Sequence, residues 1–513
     1  MSRLMNTTTT KWWVLFTMCL LTVMLNFDVT AVNLAIPEIS KEFHATLANM
    51  QWVINAFVLV SAVFQIIAGR AGDLWGHRRL FIVGVIIFIV SSLVAGAAHT
   101  TLLLIMARAG QGLALGIAYP MTIALIYAAF PPAQRVLAVG YVMGTMGISL
   151  ASGPLLGGLI VYYVGWRWIF LVNVPIGLLT IFLAYLFCKR DISAIERQKM
   201  DYVGGVLLTL GLTSVVLALN EVQQWGWSSP IFITTFLVGL LVLVILFLVE
   251  RKCRDPLIDF NLFRLRSYVI YNLIRVIAQV IFIPILFFIP IYLQNIAQYD
   301  AVTAGLIMLF LTLVIGVLAP LAGKWVGEQN VRLPTVVALL AFMVGCLLLT
   351  QLTPTPRFIL LASALIFIGI GTSLSFVSTL AGAMQSITLE KTGLAMGIFL
   401  TIVFASCAVG VALFGTILVS SSHAWLLTAT SQAGLHFNAA EWHEINRIAR
   451  GVESVQKIKN YLQPGVDLAA VTNLAKAAFI HGFRTAMGIF SFIAVAGLAL
   501  TIFVANDKKE KIS

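Results

Sequence analysis

The chain has 513 residues, of which 60% are hydrophobic and 10% charged, whereas soluble domains average roughly 25% charged residues. This composition excludes water as the main solvent and predicts an all-α membrane protein, because apolar segments of about 20 residues cross lipid as helices that satisfy their own backbone groups. The net charge of +12 does not indicate nucleic-acid binding, since the basic residues are scattered over short loops rather than clustered on a soluble domain.

Apolar runs between charged residues or Pro and Gly breaks predict fourteen membrane-spanning helices. They lie near residues 12–34, 48–69, 80–98, 101–129, 136–160, 167–187, 202–220, 231–249, 268–293, 301–322, 334–351, 357–380, 392–420 and 480–505. The first run is longer than the core of a signal peptide and no clear small-residue cleavage site follows it, so we interpret it as a retained span.

The distribution of basic residues favours a cytoplasmic location for both termini. With the N-terminus in the cytoplasm, 21 of the 32 Lys and Arg residues fall on the cytoplasmic side, 9 on the outer side or its membrane edge and 2 within spans; six of the nine belong to one long loop. The short outer loops are therefore nearly free of positive charge, as the positive-inside rule requires. An even number of spans returns the tail, with Lys508, Lys509 and Lys511, to the same side.

A weak internal repeat predicts two related halves. The loop Gly69–Leu80 follows the second span, and the similar loop Gly323–Leu333, which has lost the aspartate, follows the tenth. Repeated halves are how many secondary transporters place a site between two rocking bundles. We therefore predict six, two and six spans: an N-terminal bundle over residues 1–187, two linker helices over 188–267 and a C-terminal bundle over 268–513.

One hydrophilic segment, near residues 421–478, is predicted to lie outside the membrane. Within it, apolar residues follow helical spacing from Trp442 through Ile445, Ile448, Val452, Val455 and Ile458 to Leu462. This pattern predicts an amphipathic helix that lies on the bilayer surface or covers the outer mouth of the protein. The alternative is a docking surface for a partner protein.

Asp28 is the one carboxylate well inside a predicted span. It lies about 24 Å beyond Trp12 along a helix of ~1.5 Å rise, in the outer half of the membrane. A charge within lipid is costly and marks a functional candidate, and removal from water favours the protonated form of a carboxyl group. Asp28 is therefore predicted to carry protons. The alternative is an aspartate that stays ionised because a fixed partner holds it or because it reaches the outer surface.

Two arginines also fall within predicted spans. Arg108 does not lose its proton, so it is predicted either to tune Asp28 or a bound water, or to pair with backbone carbonyls as a structural device. Arg275 shares a helical face with Asn272 and Gln279, which predicts a substrate cavity that favours anionic or carbonyl-rich compounds. Because it lies only seven residues into its span, the alternative is an arginine that reaches the membrane surface. The other predicted cavity residues are Asn26, Asn55 and Gln111.

The fifth span is rich in glycine and contains Gly144, Gly153, Pro154, Gly157 and Gly158. Glycines let helices approach closely and proline removes a backbone hydrogen bond, so this span is predicted to be closely packed and bent. The seven histidines and five cysteines show no metal-ligand spacing, and neither a phosphate-binding loop nor a nucleophile with a base is found. We predict no cofactor, no metal centre and no enzymatic activity.

These motifs together resemble the major facilitator superfamily, and within it the fourteen-span drug:proton antiporters of the EmrB/QacA type, over essentially the whole chain. Gly69–Leu80 resembles the superfamily's loop signature, with Gly69, Asp73, Gly76 and Arg78 at its main positions and with Gly72 and His77 as departures. Arg108 with Gln111 and Gly112 is similar to the fourth-span motif associated with proton coupling. Gly144 to Gly158 resembles the antiporter motif, and Phe27–Pro37 and Trp166–Gly177 resemble the first-span and sixth-span signatures of this branch.

The resemblance implies roles for these residues. Asp28 is implied to bind the proton or a cationic substrate, Asp73 to gate the conformational change through neighbouring helix ends, and the glycines of the fifth span to mark an exporter. The segment near residues 421–478 is similar to that of the EmrB side of the branch, whose members work with a periplasmic adaptor and an outer-membrane channel. The resemblance also implies a bacterial inner membrane.

The leading interpretation is a rocker-switch antiporter that exchanges protons for small amphipathic compounds, in the manner of multidrug efflux. A dedicated exporter of one metabolite, such as a siderophore, is the alternative within the same fold, and Arg108 and Arg275 would favour a negative charge on that metabolite. A proton-coupled uptake symporter and a non-transporting membrane sensor are the alternatives from other classes. The fifth-span motif speaks against the symporter, and the charges within the repeated membrane architecture speak against the sensor.

Overall fold

A computed structural model of the chain describes residues 7–45, 47–189, 200–253, 256–328, 331–385, 387–388, 391–432, 445 and 468–504. These ranges are almost entirely helical and contain no strand, as expected for a chain whose backbone groups must be satisfied within lipid.

The described residues form fifteen α-helices. Their bounds are α1 Thr7–Glu42, α2 Leu47–Trp75, α3 His77–Gly96, α4 Thr101–Ala129, α5 Pro132–Val164, α6 Arg167–Leu171, α7 Asn173–Phe187, α8 Tyr202–Trp225, α9 Pro230–Glu250, α10 Arg266–Ile291, α11 Ala301–Glu328, α12 Arg332–Leu349, α13 Phe358–Met384, α14 Thr392–Gln432 and α15 Leu468–Ile502. A 3-10 helix at Phe260–Arg264 precedes α10, and a π-helical turn at Tyr292–Ile296 extends it.

Fourteen segments of this structure are long and apolar enough to cross a membrane, which confirms the predicted number. The sixth of them consists of two helices, α6 and α7, which meet at Val172; the sequence predicted one continuous span there. We call the face where α1 begins and α15 ends the terminal face, and the opposite one the far face. Because the spans alternate in direction, α3 and α14 also begin at the terminal face.

The spans form two bundles with two helices beside them. Helices α1 to α7 pack mainly against one another, and so do α10 to α15. The two bundles meet along two seams, one between α2 and α14 and the other between α5 and α11. Helices α8 and α9 pack against each other, and α8 also packs against α2 and α14. The linker helices therefore lie beside the α2–α14 seam.

The seam between α5 and α11 depends on glycine. A Cβ atom at Gly144 would lie 2.7 Å from the carbonyl oxygen of Gly316 and 3.0 Å from the ring of Pro320. A Cβ atom at Gly140 would lie 2.6 Å from the carbonyl oxygen of Ala319. Because side chains here would collide with the opposite backbone, the two helices approach this closely only at glycines.

Helices α14 and α15 extend beyond the membrane at the far face. They have 41 and 35 residues, which at ~1.5 Å per residue makes them about 60 and 50 Å long, whereas the hydrocarbon core is about 30 Å thick. The ring of Trp425 on α14 stacks on that of His481 on α15 with 6.1 Å between ring centres. The flanks of the predicted outer segment are therefore helical. The predicted amphipathic helix, apart from Ile445, lies outside the described residues.

Replacement of Gly144 by leucine is expected to lower stability by ~1–3 kcal/mol, the usual effect of overpacking, because the new side chain would force α5 away from α11. The measurement is the melting temperature of the purified protein in detergent, followed by tryptophan fluorescence. Gly205→Leu on α8 is the matched control, since a Cβ atom at Gly205 meets no atom within 4 Å. Equal melting temperatures for the two variants would contradict this account of the seam.

Candidate functional site

Asp28 on α1 lies in the interior of the N-terminal bundle. It is fully buried and forms an ion pair with Arg108 on α4. Its Oδ1 atom also accepts hydrogen bonds from the side-chain amides of Gln111 at 3.2 Å and Asn173 at 3.1 Å. The alternative in which Asp28 reaches the outer surface is therefore wrong. A fixed partner is present in this conformation.

Arg108 contacts both Asp28 and a backbone carbonyl, the partners that its two predicted roles require. Its Nη1 atom contacts Asp28 and also donates to Oε1 of Gln111 at 2.7 Å, while its Nε atom donates to the carbonyl oxygen of Val53 on α2 at 3.0 Å. The guanidinium carbon lies 4.4 Å from the centre of the Phe57 ring, a cation–π distance. Arg108 is thus held by a carboxylate, an amide, a backbone carbonyl and a ring.

Gln111 extends this network to α3, because its Nε2 atom donates to the hydroxyl of Ser92 on that helix at 2.9 Å. We call Asp28, Ser92, Arg108, Gln111 and Asn173 the aspartate cluster. It joins α1, α3, α4 and α7. Ser92 and Asn173 were not predicted as site residues; a lone asparagine within an apolar span is the signal that would have indicated an interhelical hydrogen bond.

Asp73 connects the two bundles at the terminal face. Its two carboxylate oxygens accept hydrogen bonds from the backbone N–H groups of Gly393 at 2.9 Å and Leu394 at 2.8 Å, in the first turn of α14. A helix N-terminus favours such a partner, because its N–H groups are free and its dipole is positive there. The ring of His77 lies 2.8 Å from the same carboxylate. Asp73 therefore holds the end of α2 against the start of α14.

The other residues of this loop shape the same contact. A Cβ atom at Gly69 would lie 2.9 Å from the carbonyl carbon of Gly393, so α2 approaches α14 closely at this point. Gly76 has φ 102°, a conformation that residues with side chains rarely adopt, and it separates α2 from α3. Arg78 donates to the carbonyl oxygen of Tyr185 at 2.8 Å, so that it binds the end of α7 within its own bundle.

Helix α5 links the aspartate cluster to a seam. A Cβ atom at Gly157 would lie 2.8 Å from the Cβ of Ala31 on α1, and one at Gly153 would collide with the Thr30 hydroxyl. These contacts come within one turn of Asp28 along α1. Since Gly144 on the same helix contacts α11, α5 touches both the helix that carries Asp28 and the other bundle.

Three further predicted residues lie near these contacts. Gly158 is half-buried on α5. Asn26 donates from its amide to the carbonyl oxygen of Thr22 at 2.8 Å on its own helix. The side chain of Pro154 lies outside the described part of the chain, although the helix passes through this position without a break.

A second polar cluster lies in the C-terminal bundle. Asn272, Arg275 and Gln279 share one face of α10 and are all buried. Arg275 is 2% exposed, so the alternative in which it reaches the membrane surface is wrong. It donates to Gln279 and, at 3.4 Å, to the hydroxyl of Ser375 on α13, and Gln279 contacts the sulfur of Cys407 on α14 at 3.2 Å. We call these five residues the arginine cluster.

Two buried glutamates on the linker helices were missed, because each lies one residue beyond a predicted span. Glu221 on α8 accepts a hydrogen bond from the amide of Asn55 at 3.4 Å, so this predicted cavity residue contacts a linker helix. Both carboxylate oxygens of Glu250 on α9 accept backbone N–H groups, from Leu257 at 3.2 Å and Ile258 at 3.3 Å. A carboxylate thus connects α8 to α2, and another connects α9 to the segment that follows it.

The start of the sixth span is attached to the end of α1, outside the membrane. Glu42 accepts hydrogen bonds from the indole of Trp166 at 2.8 Å and from the guanidinium of Arg167 at 2.6 Å. The hydrogen bond from Arg167, with that from Trp166, lowers the pKa of Glu42. Because a lowered carboxyl pKa stabilises the folded state only while the group is ionised, this contribution is lost as the pH falls through that pKa.

Comparison with known proteins identifies relatives over nearly the whole chain. A sequence profile of the Major Facilitator Superfamily matches residues 18–210 and 202–411. The tetracenomycin C resistance and export protein of Streptomyces glaucescens is 27% identical over 511 residues, which cover 98% of this chain and 93% of that protein. The puromycin resistance protein pur8 of Streptomyces alboniger is 32% identical over 424 residues, with coverages of 81% and 83%.

A solved structure has a similar fold. The human organic anion transporter MFSD10 aligns with a TM-score of 0.58 and 11% sequence identity, over 96% of this chain and 98% of that chain. At this identity the likeness concerns the fold alone, and it supports the helical arrangement described above.

Replacement of Arg108 by glutamine would leave the Asp28 carboxylate buried without its cation, which typically costs ~3–5 kcal/mol. In the double variant Asp28→Asn/Arg108→Gln no charge is left unpaired, so much of this loss is expected to be recovered. The measurement is a double-mutant cycle of denaturant unfolding in detergent. Additive losses in the double variant would show that the two side chains do not stabilise each other.

Proposed function

The chain belongs to the Major Facilitator Superfamily, and we propose that this multi-pass membrane transporter exports small amphipathic compounds in exchange for protons. The family, the fold and the fourteen spans expected from the sequence are confirmed. Relatives that include a tetracenomycin C export protein and a puromycin resistance protein support drug efflux as the activity.

The buried carboxylate of Asp28 is the observation that carries the proposal. It lies away from water, and its charge is balanced by Arg108. Protonation would neutralise the carboxylate and weaken its bonds to Arg108, Gln111 and Asn173, because hydrogen bonds to a charged acceptor are the stronger ones. Proton binding would therefore loosen α1 from α4 and α7.

Helix α5 offers a route from this proton site to the movement of the bundles. It contacts α1 at Ala31 and α11 at Gly316 and Pro320. A displacement of α1 would therefore be transmitted through α5 to the seam between the bundles. Exchange requires that proton and substrate bias the same equilibrium between two conformations in opposite directions. In our proposal protons moving inward bind Asp28, and substrate leaves from between the bundles.

We place the terminal face in the cytoplasm of a bacterial inner membrane, so that both termini are cytoplasmic. The support is the excess of Lys and Arg residues in the loops of that face. With this orientation, the contact of Asp73 with Gly393 and Leu394 closes the cytoplasmic side of the α2–α14 seam. Export of the next substrate would require these two hydrogen bonds to break.

Dedicated export of one metabolite, such as a siderophore, is the second candidate function. The observation that favours it is the buried Arg275, since a fixed positive charge selects among substrates more strictly than an apolar cavity does. A panel of substrates distinguishes the two candidates, because a dedicated exporter would transport one acidic class and refuse cations.

A periplasmic adaptor that leads to an outer-membrane channel is proposed as a partner of the segment between α14 and α15. The support is that both helices extend beyond the far face, so that Gln432 at the end of α14 and Leu468 at the start of α15 lie outside the membrane. Replacement of residues 433–467 by a Gly/Ser linker of equal length is expected to abolish co-purification of an adaptor from the native membrane, while the protein still inserts. Undiminished co-purification would refute this partnership.

The experiment that tests the function is substrate-induced proton movement in liposomes that contain the purified protein. Cationic, neutral and anionic amphipathic compounds are added to the wild type and to Asp28→Asn, and a pH-sensitive dye inside the liposomes reports proton release. We expect release with the wild type and at least a tenfold smaller response with Asp28→Asn, the scale of a lost proton-transfer group.

Asp300→Asn is the matched control for this experiment. Asp300 is an exposed residue whose carboxylate accepts the backbone N–H of Thr303 at the start of α11, and asparagine caps a helix equally well. This variant should release protons as the wild type does. Transport that does not depend on the pH gradient, or proton release by Asp28→Asn equal to that of the wild type, would refute Asp28 as the coupling residue.

A further inference from the structure

Arg108 and Arg275, which are 1% and 2% exposed, differ in one respect. The charge of Arg108 is balanced by Asp28, whereas among the described residues no carboxylate lies within ion-pair distance of Arg275. Among the described residues, the C-terminal bundle therefore holds a buried positive charge without a carboxylate partner.

The surroundings of Arg275 satisfy it only in part. Its protein contacts are the neutral side chains of Gln279 and Ser375, and its guanidinium lies 4.7 Å from the centre of the Phe376 ring. The Nε atom of Arg275 and the Oδ1 atom of Asn272 are buried without a hydrogen-bond partner. Burial of an unpaired charge with an unused donor is costly, and a cost retained in a membrane interior marks a binding function.

Arg275 lies near the middle of the membrane, beside a helix that borders the other bundle. It is the tenth residue of α10, roughly 14 Å from its start at ~1.5 Å per residue, which is near the middle of a hydrocarbon core of about 30 Å. Its partner Gln279 contacts the sulfur of Cys407 on α14, and α14 packs against α2 and α4 of the opposite bundle. The arginine cluster therefore includes a helix of the interface between the two bundles, at mid-depth.

We propose that Arg275 binds an acidic group, a carboxylate or an ionised phenol, of the exported compound. This inference rests on the proposed export function and names the class of its substrate. A guanidinium presents donors in a planar fork that matches the two oxygens of a carboxylate. The ring of Phe376 offers an apolar contact for the rest of an amphipathic acid.

The site is separate from the proton site. Asp28 and Arg108 neutralise each other in the N-terminal bundle, whereas among the described residues no carboxylate neutralises Arg275. A change at Asp28 shifts the equilibrium between the two conformations for every transported compound alike. The ratio of acid to ester affinity is therefore expected to persist in Asp28→Asn, in which proton exchange fails, even though both affinities change.

The test is a binding measurement with the purified full-length protein in an uncharged detergent and a low-salt Hepes buffer that contains no carboxylate anion. The probe is pyrenebutyrate, and its methyl ester is the neutral compound of the same skeleton; energy transfer from tryptophan to pyrene reports binding. We expect the wild type to bind the acid roughly tenfold or more tightly than the ester, the scale of a charge-assisted hydrogen bond.

Three variants test whether Arg275 is the source of the preference for the acid over the ester. Arg275→Gln should bind acid and ester within about twofold of each other, as expected when the charge-assisted bond is gone. Arg484→Gln is the matched control, an arginine on α15 whose Nε donates to the carbonyl oxygen of Leu352 at 2.7 Å, and it should keep the preference of the wild type. Asp28→Asn should keep it too. An acid preference that survives in Arg275→Gln, or its absence in the wild type, would overturn the proposal.

Melting temperatures provide a readout that does not depend on the ligand. Without the probe, Arg275→Gln should melt at or above the temperature of the wild type, because an unpaired buried charge is removed, whereas Arg108→Gln should melt below it. A loss in Arg275→Gln as large as that in Arg108→Gln would assign a structural role and overturn the proposal.

An inorganic anion is the other source of the same chemistry. If added sodium chloride raises the melting temperature of the wild type but not of Arg275→Gln, and pyrenebutyrate adds nothing, the site takes inorganic anions and the proposal is wrong. Because these measurements need neither a pH gradient nor transport, an acid preference would stand even if the liposome experiment failed. If only cationic compounds drive proton exchange, the proposed export function stands and the proposed acid site at Arg275 is wrong.

Discussion

The ion pair between Asp28 and Arg108 is the constraint from which the organisation of the N-terminal bundle follows. A carboxylate and a guanidinium in lipid are tolerable only together and only when their remaining hydrogen bonds are made. Gln111 and Asn173 supply the other donors to Asp28, and the carbonyl oxygen of Val53 accepts from Arg108. These bonds therefore hold α1, α2, α4 and α7 in one relative arrangement. A change in the charge of Asp28 weakens the interactions that maintain this arrangement.

Contacts between the bundles are of a different kind. Apolar side chains gain little by meeting each other in lipid, so helices associate through close backbone approach and polar bonds. The α5–α11 seam is made by glycines such as Gly144 facing Gly316. The α2–α14 seam adds Asp73, whose carboxylate satisfies N–H groups at a helix end. Few strong bonds cross these seams, which suits surfaces that must part in each transport cycle.

The two halves differ in their charge. The N-terminal bundle contains a neutral pair, and the C-terminal bundle contains Arg275 without a counter-ion among the described residues. A neutral pair responds to protons, whereas an unpaired cation attracts an anion. In our proposals the two halves therefore have different functions: protons bind Asp28 in the N-terminal bundle, and Arg275 recognises the substrate in the C-terminal bundle. Helix α5 connects the proton site to the seam between the bundles.

The sequence by itself determined the fourteen spans and the charged residues within them, because the length of an apolar run and the cost of a charge in lipid are local properties of the chain. Only the tertiary structure decided the partners. Asn173 contacts Asp28, which lies 145 residues away in the chain, and Asn55 contacts Glu221 on a linker helix. Among the described residues, Arg275 contacts no carboxylate. These outcomes depend on how each helix is rotated about its axis, and helices that are apolar on nearly every side carry too weak a pattern to fix that rotation.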